Sequence, residues 1–372
     1  MKSILRYLAV LLAAALVFGA ARYLDNMPQG YVEDEPPVQV PVEMEAATEP
    51  VPVTPVQTEP PETEPPAQRM VLTFAGDCTL GCHTAHTHAG YGFLLTVGDD
   101  YAYPFQNVKT WFENDDFTMV NLEGPLSDVG RPRGARYSFR GPESNVNILT
   151  MNSIEAVSLA NNHAYDYGED GYAATKAVLE ANGISYVEQN NSTVVTLENG
   201  ITVGIYGTVY NSIDSTAMVE GIQQLKSQGV DLIIYAPHWG TEHSFDPTQE
   251  QTDLGRAAID AGANIVYGCH PHVLQPIEEY HGGVIYYSLG NFSFGGNIYP
   301  DDYDTAIIQQ EVILAGDGTV TLGERTLVPC SLSSIENRNN YQPTPYEEGT
   351  EAYDRVLSKL DGSYTGSNLP IH

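Results

Sequence analysis

VDLIIYAP, residues 230–237, is an almost unbroken apolar run that leads straight into His238-Trp239-Gly240-Thr241-Glu242. Its β-branched and aromatic content, with no helical period, reads as a strand covered on both faces. The polar residues then stand where that strand ends. Upstream the same pattern recurs: MVLTFAG (70–76) ends at Gly76-Asp77, FTMVNL (117–122) at Glu123, and IEAVSLA (154–160) at Asn161-Asn162-His163. Downstream, NIVY (264–267) leads to Gly268-Cys269-His270-Pro271-His272, and GVIYYSL (283–289) to Gly290-Asn291-Phe292. Residues 203–207 supply a further strand. Helical patterns lie between, at 171–182, 216–228 and 248–261, the last closed by Gly262. Strand, loop and helix in alternation make an α/β chain, and open α/β sheets bind ligands beyond the carboxyl ends of their strands. Segments 306–314 and 319–328, around Gly316-Asp317-Gly318, predict a hairpin that closes the second sheet. The tail beyond is polar and turn-rich, with one short helix expected at 352–360.

The amino-terminal region has another character. Residues 7–20 (YLAVLLAAALVFGA) are apolar and uncharged, with Lys2 and Arg6 before them and Arg22 and Asp25 after. A spanning helix needs ~20 such residues, a length reached by counting from 4 to 24 with the arginines at the interfaces. The segment 1–26 is therefore expected to be an uncleaved anchor, with a cleaved signal peptide as the alternative. The corresponding location is the cell membrane with an extracytoplasmic domain, or secretion if the segment is removed. Residues 27–68 are rich in Pro, Glu, Val and Thr, with nine acids and no base, and are expected to form a disordered, extended stalk. The folded domain is expected at 69–334, followed by a carboxyl-terminal extension at 335–372.

The formal net charge is −32, from 48 acids and 16 bases, which leaves no basic groove for nucleic acid. Cys78, Cys82, Cys269 and Cys330 are too few for a disulfide scaffold in a domain of this size.

Six polar clusters thus terminate strands. Taken singly, an Asp after a strand is a cap or turn former and Asn-Asn is a turn. Taken together, Asp and Glu carboxylates, an Asn carbonyl and three imidazoles form a mixed oxygen and nitrogen donor set suited to Zn, Mn or Fe. They exceed what one tetrahedral ion needs. Two cations ~3.5–4 Å apart would use them, activating a water and clamping the attacking and leaving oxygens of an ester centre. In His270-Pro271-His272 an extended backbone would put both rings on one side.

The ordered motifs GD, NLE, ANNH, HWGTEH, GCHPHVLQPIE and YSLGNF resemble the poly-γ-glutamate capsule biosynthesis protein family, CapA type, within the calcineurin-like metallophosphatase superfamily. The resemblance spans residues 69–300. It implies a four-layer α/β/β/α sandwich with a dinuclear site of divalent metal ions between strand-end loops. It implies Asp77 on one metal, Glu123 bridging, Asn162 on the second metal, and His238, His270 and His272 completing the two spheres. His163 would approach the substrate as general acid or oxyanion stabiliser. Glu242 and Asn291 look like residues that hold ligands or face substrate. The implied partners are an anionic polymer such as polyglutamate, the membrane through the amino-terminal helix, and membrane synthase subunits.

Two departures stand out. The superfamily opens with Asp-x-His, whereas this chain has Asp77-Cys78-Thr79, and Cys269 occupies a position where relatives carry another histidine. Cys269 can be a neutral substitute, a soft ligand if its pKa is depressed, or buried filling. His83, His86 and His88 form an extra cluster that the resemblance does not explain. Trp239 and the 24 tyrosines either line a polymer groove or fill the core. Arg131, Arg133, Arg136 and Arg140 stand out in so acidic a chain, as a substrate-facing basic lip, with Arg140 the nearest contact, or as local ion pairs. Two functions follow: a metal-dependent hydrolase of phosphoester or amide bonds, or a non-catalytic factor that binds, exports or assembles polymer on the same fold.

Overall fold

The computed structural model describes residues 67–370. The expected anchor and nearly all of the expected stalk lie outside the described residues. Among the described residues, no helix is long and apolar enough to cross a membrane.

Two large sheets carry the domain. In spatial order the first contains Thr344–Pro345, Val320–Ser331, Asp304–Leu314, Gln68–Cys78, Phe117–Leu122, Ala156–Ser158 and Ser185–Val187. The second contains Ile277–Tyr280, Gly283–Tyr286, Ile265–Tyr267, Leu232–His238, Thr202–Val209 and Asn191–Thr196. Within each sheet the central strands run parallel. Parallel strands need crossovers, and the longest of these here carry the helices Gly168–Ala181, Ser215–Ser227 and Gln249–Ala261, while shorter helices such as Val146–Thr150 lie in the others.

Three apolar clusters fix the layering. Leu72, Phe74 and Met119 of the first sheet meet Ile205, Ile234 and Tyr267 of the second, so these faces pack on each other. On the outer face of the first sheet, Val120, Val157 and Ile307 pack with Ile148, Leu149 and Leu179 of helices. On the outer face of the second, Ile233, Val266 and Ile285 meet Met218, Ile222 and Ala258. Helices thus cover both outer faces of a double sheet. Strands covered on both sides must be apolar at nearly every position, which is why their sequences lack alternation.

The hairpin forms, but its sheet differs from the expectation. Asp304–Leu314 pairs antiparallel with Gln68–Cys78, from Met70 opposite Val312 to Phe74 opposite Ile308, so it extends the first sheet. Hairpin composition specifies the turn and says nothing of the third strand that accepts it. The carboxyl-terminal residues pack on this same edge: Thr344–Pro345 joins the sheet, and Val356 and Leu360 of the helix Glu351–Leu360 cluster with Leu274 and Ala306. Lys359 is buried there between Asp302 and Asp304, each 2.8 Å from its ammonium, while Arg355 grips Asp304 through two nitrogens at 2.7 Å.

One close approach joins the two sheets at their carboxyl ends. Pairing between Gln68–Cys78 and Phe117–Leu122 shifts register between Phe74 and Asp77, and there Asp77 N donates to Gly290 O at 2.8 Å. A Cβ on Gly76 would lie 2.2 Å from Gly290 O, so only glycine allows the contact. The bulge re-aims Asp77 toward the space between the sheets.

Candidate metal centre

Glu123 lies at the centre of that space. It directly follows the strand Phe117–Leu122 and is fully buried, and its Oε1 has no hydrogen-bond partner while Oε2 accepts only a 3.4 Å contact from Asn121. Three imidazoles surround the free oxygen: His272 Nε2 at 3.6 Å, His163 Nε2 at 3.8 Å and His238 Nε2 at 4.0 Å. These separations exceed hydrogen bonds, so the three rings converge on this oxygen without bonding it. A buried carboxylate oxygen left in this way costs free energy unless something binds it. Burial, together with the Asp77 carboxylate and against the pull of His272, lifts the Glu123 carboxyl to about 7.

The other strand ends contribute in turn. Asp77 accepts from Asn121 Nδ2 at 2.8 Å and lies 3.2 Å from His272 Nδ1. His238 ends its strand, is 1% exposed, and places Nε2 2.8 Å from Asn162 Oδ1. His270 is buried and its Nδ1 is without a partner. Asn291 Oδ1 sits 2.9 Å from His272 Nδ1. Two triads have donor atoms mutually within 4.8 Å: Asp77, Glu123 and His238, and Glu242, His270 and His272. Asp77, Glu123, Asn162, His238, His270 and His272 thus stand in one space, Asn162 against His238 and the His238 ring 4.7 Å from that of His270. Glu242, expected to support ligands or face substrate, stands within ligand reach itself.

The route by which the two rings of His270-Pro271-His272 reach the site differs from the extended alternation expected. His270 has φ +102° and His272 φ +58°, so the segment is a bend, with ring centroids 5.9 Å apart. Left-handed backbone at two non-glycine residues is strained, and such strain persists where the surroundings enforce it. His270 N reaches Asp77 Oδ2 at 3.3 Å, and Trp239 N and His243 N donate to Cys269 O and Pro271 O.

Protonation differs ring by ring. Burial and the neighbouring imidazoles hold His238 well below its ordinary value, and burial with His272 lowers His270 to about 3. Both are thus neutral, the form that ligates a cation. For His272, burial opposes the charge, but Glu123 and Asp77 outweigh it and raise the ring to about 10. His163 is also raised: burial is outweighed by the hydrogen bond to Asp166 Oδ2 at 2.8 Å and by Glu123.

Sequence reading gave no role to three residues here, of which only Asn121 stood in a strand-end cluster. Asp166 both orients His163 and accepts from Phe139 N at 2.7 Å; its signal was the three-residue spacing from His163. Asn121 binds Asp77 and is itself held by Asn161 Nδ2 at 3.1 Å, a chain of amides that fixes the first carboxylate. Tyr210 stacks on His270 with centroids 4.7 Å apart.

Other candidates stand apart. Arg140 sits on the short strand Phe139–Arg140 with its guanidinium 4.2 Å over the Tyr167 ring, while Phe139, its neighbour, packs on His163 at 4.4 Å. Arg133 pairs with Glu169 at 3.7 Å. His83 caps a short turn and contacts Arg136 O at 3.2 Å, so its two nitrogens are engaged in the loop. Cys269 is buried, and burial with the Asp77 charge pushes its thiol well above the ordinary value, which fits filling rather than a thiolate. All four cysteines are free and buried. Trp239 is core: 1% exposed, it donates to Tyr287 O at 2.9 Å. A cleft of about 540 Å³ lined by Asp115, Asp116 and Glu155 lies at the opposite, amino ends of the strands.

With this geometry in place, comparison with known proteins becomes informative. Residues 71–296 match the family described as bacterial capsule synthesis protein PGA_cap. The chain belongs to this family. It is 30% identical over 263 residues to the PGA biosynthesis protein CapA of Bacillus subtilis, covering 63% of this chain and 69% of that protein. The capsule biosynthesis protein CapA of Bacillus anthracis is 30% identical over 283 residues, covering 68% of this chain and 66% of that protein. Among solved structures, a 5'-nucleotidase precursor from Thermus thermophilus superposes with a TM-score of 0.44 at 15% identity, over 78% of this chain and 58% of that one. At that score the superposition establishes no common fold, and membership of the PGA_cap family rests on the sequence match. The matched span contains every residue of the two triads.

Proposed function

We propose that this PGA_cap protein acts in the biosynthesis of a capsule or cell-envelope polymer of the poly-γ-glutamate kind, as a hydrolase dependent on two divalent cations. The observation that carries the reading is the partnerless oxygen of Glu123, which belongs to one triad of donors and lies 3.6 Å from His272 of the other. Buried charge persists when it is paired or coordinated, and a cation pair shared through Glu123 satisfies that requirement. Asp77, Glu123 and His238 would hold one side and Glu242, His270 and His272 the other; Asn162, expected on the second metal, is placed with the first side because its Oδ1 lies 2.8 Å from His238 Nε2. Mn, Zn or Fe suits such mixed donors. When bound, the pair would supply Lewis acidity and a lowered pKa for water.

The protein's own groups would do the rest. His163, whose pKa Asp166 raises, stands 3.8 Å from Glu123 and would deliver a proton to the departing group. Phe139 and Phe294 pack on the rings of His163 and His272 and exclude water from their flanks. The substrate is proposed to be an anionic polymer, met by Arg140 and its neighbouring arginines at the rim. The amino-terminal segment is proposed to tether the domain outside the cell membrane, near synthase subunits.

A second reading, a polymer-binding or assembly factor without turnover, is favoured by Thr79. It stands where the superfamily has histidine, and its hydroxyl donates to Gly81 O and accepts from Gly295 N, so it is spent on the loop. Metal analysis of the purified protein, with phosphodiester and polyglutamate hydrolysis assays, separates the two. Bound metal with turnover that vanishes in Asp77→Ala and His272→Ala supports the hydrolase; polymer binding without turnover under every divalent ion supports the factor.

A further inference from the structure

Glu242 is the least anchored member of its triad. It lies on the loop 240–247, between a strand and a helix, whereas His270 and His272 follow the short central strand Ile265–Tyr267 closely. A carboxylate on a loop holds its place only if the loop is held. The residues that hold it come from the far end of the chain. After the helix Glu351–Leu360 the backbone runs as an exposed strap through residues 362–370 and lies along the Glu242 loop. Leu369 N donates to His243 O at 3.1 Å, His243 Nδ1 lies 2.7 Å from Pro370 O, and Phe245 N donates to Asn368 Oδ1 at 3.0 Å. Tyr364 packs its ring edge against Phe245 at 5.0 Å, and the buried Lys359 ammonium lies over both rings.

His243 is the pivot. On one side it takes the strap; on the other its N–H donates to Pro271 O at 2.8 Å, inside the bend that carries His270 and His272. It holds φ +62°, a conformation a non-glycine residue keeps only under constraint. Strap, pivot and bend thus form one continuous set of contacts, and Glu242 is the residue next to the pivot. We propose that the strap 364–370 is a positioning element for Glu242, and that occupancy of the cation site at Glu242, His270 and His272 depends on it. The inference rests on reading those three residues as ligands.

The test uses the full chain, a chain stopped before Tyr364, and Asn368→Ala, with Mn²⁺ or Zn²⁺ as probe. Bound metal is counted by elemental analysis, and affinity is measured by competition with a chelating dye. Hydrogen exchange of residues 241–246 is followed without metal. Expected are two ions in the full chain and one in the stopped chain, with affinity for the second ion weaker by roughly ten-fold in Asn368→Ala. Exchange at 241–246 should quicken in both variants while the strand Ala156–Ser158 stays protected. Two ions at unchanged affinity in the stopped chain would overturn the inference, as would unchanged exchange at 241–246. Should the stopped chain fail to fold, Asn368→Ala decides alone. Faster exchange in the variants, together with a full chain that binds no metal, would overturn the ligand reading while leaving the strap's hold on the loop measured, so the two failures are distinguishable.

Discussion

Replacing Glu123 with glutamine should stabilise the metal-free protein, the reverse of what removal of a buried charged residue usually does. The carboxylate is fully buried and Oε1 has no partner. An unsatisfied buried polar group costs ~1–3 kcal/mol. A carboxyl raised from 4.5 to about 7 gives a comparable figure, roughly 3 kcal/mol above pH 7. The sign follows from the raised value: the carboxyl's stability is fully present below the unfolded value of 4.5 and is lost as pH rises through about 7. The advantage of Glu123→Gln should therefore be small at pH 5 and full at pH 8. His272 keeps a partner in the variant, since Asp77 lies 3.2 Å away. For a domain of this size the gain corresponds to a rise in Tm of about 2–6 °C without metal. With metal the order should invert. Cations at a hundred times Kd stabilise the wild type by ~2.7 kcal/mol, and the variant loses most of that. Differential scanning calorimetry at pH 5 and 8, with chelator and with saturating Mn²⁺, reads all four states. A variant less stable than wild type in chelator at pH 8 would refute the claim that Glu123 waits for a cation.

Asp166→Asn should remove the hydrogen bond that sustains the raised His163 pKa, so the ring's NMR titration midpoint falls and the alkaline limb of any turnover profile, where the proton donor is lost, moves to lower pH; a midpoint equal to wild type counts against the pair. His163→Asn should lower turnover by ~10²–10⁴-fold while leaving metal content unchanged, as expected for a group that delivers protons. Gly76→Ala drives a Cβ into Gly290 O and should cost more than ~3 kcal/mol in urea unfolding, or prevent folding, because the three nearest atoms are all backbone; a soluble variant within 1 kcal/mol of wild type contradicts the close approach. Lys359→Met leaves Asp302 and Asp304 with one cation fewer and should cost about 3–5 kcal/mol, whereas a loss under 1 kcal/mol would show that Arg355 suffices.

The strands were legible because burial on both faces leaves no room for polar positions. A run such as 230–237 admits one reading, and the first polar residue past it, His238, is placed at the strand's end. The convergence of Asp77, Glu123, Asn162, His238, His270 and His272 followed from parallel strands, whose carboxyl ends share one edge of each sheet. Backbone at the site was not legible: proline in His270-Pro271-His272 suggested extension, yet φ is positive at both histidines, enforced by contacts to Asp77, Cys269 and Pro271. The hairpin's sheet was hidden for a related reason. Pairing of Met70 with Val312 joins segments far apart in the chain, and no local pattern encodes a partner.

The polar tail shows the same limit at the site itself. Apart from the short helix expected at 352–360, the tail reads as polar turns, yet Asn339, Asn340 and Gln342 are buried, and Asn368 reaches the Glu242 loop. Their order comes from side-chain amides answering backbone groups elsewhere, a code with no periodicity to detect. The resemblance gave Glu242 only the part of a residue that holds ligands or faces substrate, and nothing in its local sequence points to the strap. Its own sequence places it on a loop, and loops move; only a segment more than a hundred residues later makes that loop a fixed part of the centre. Ligands carried by strand ends are visible from local pattern, and a ligand carried by a strapped loop is visible only once the strap is.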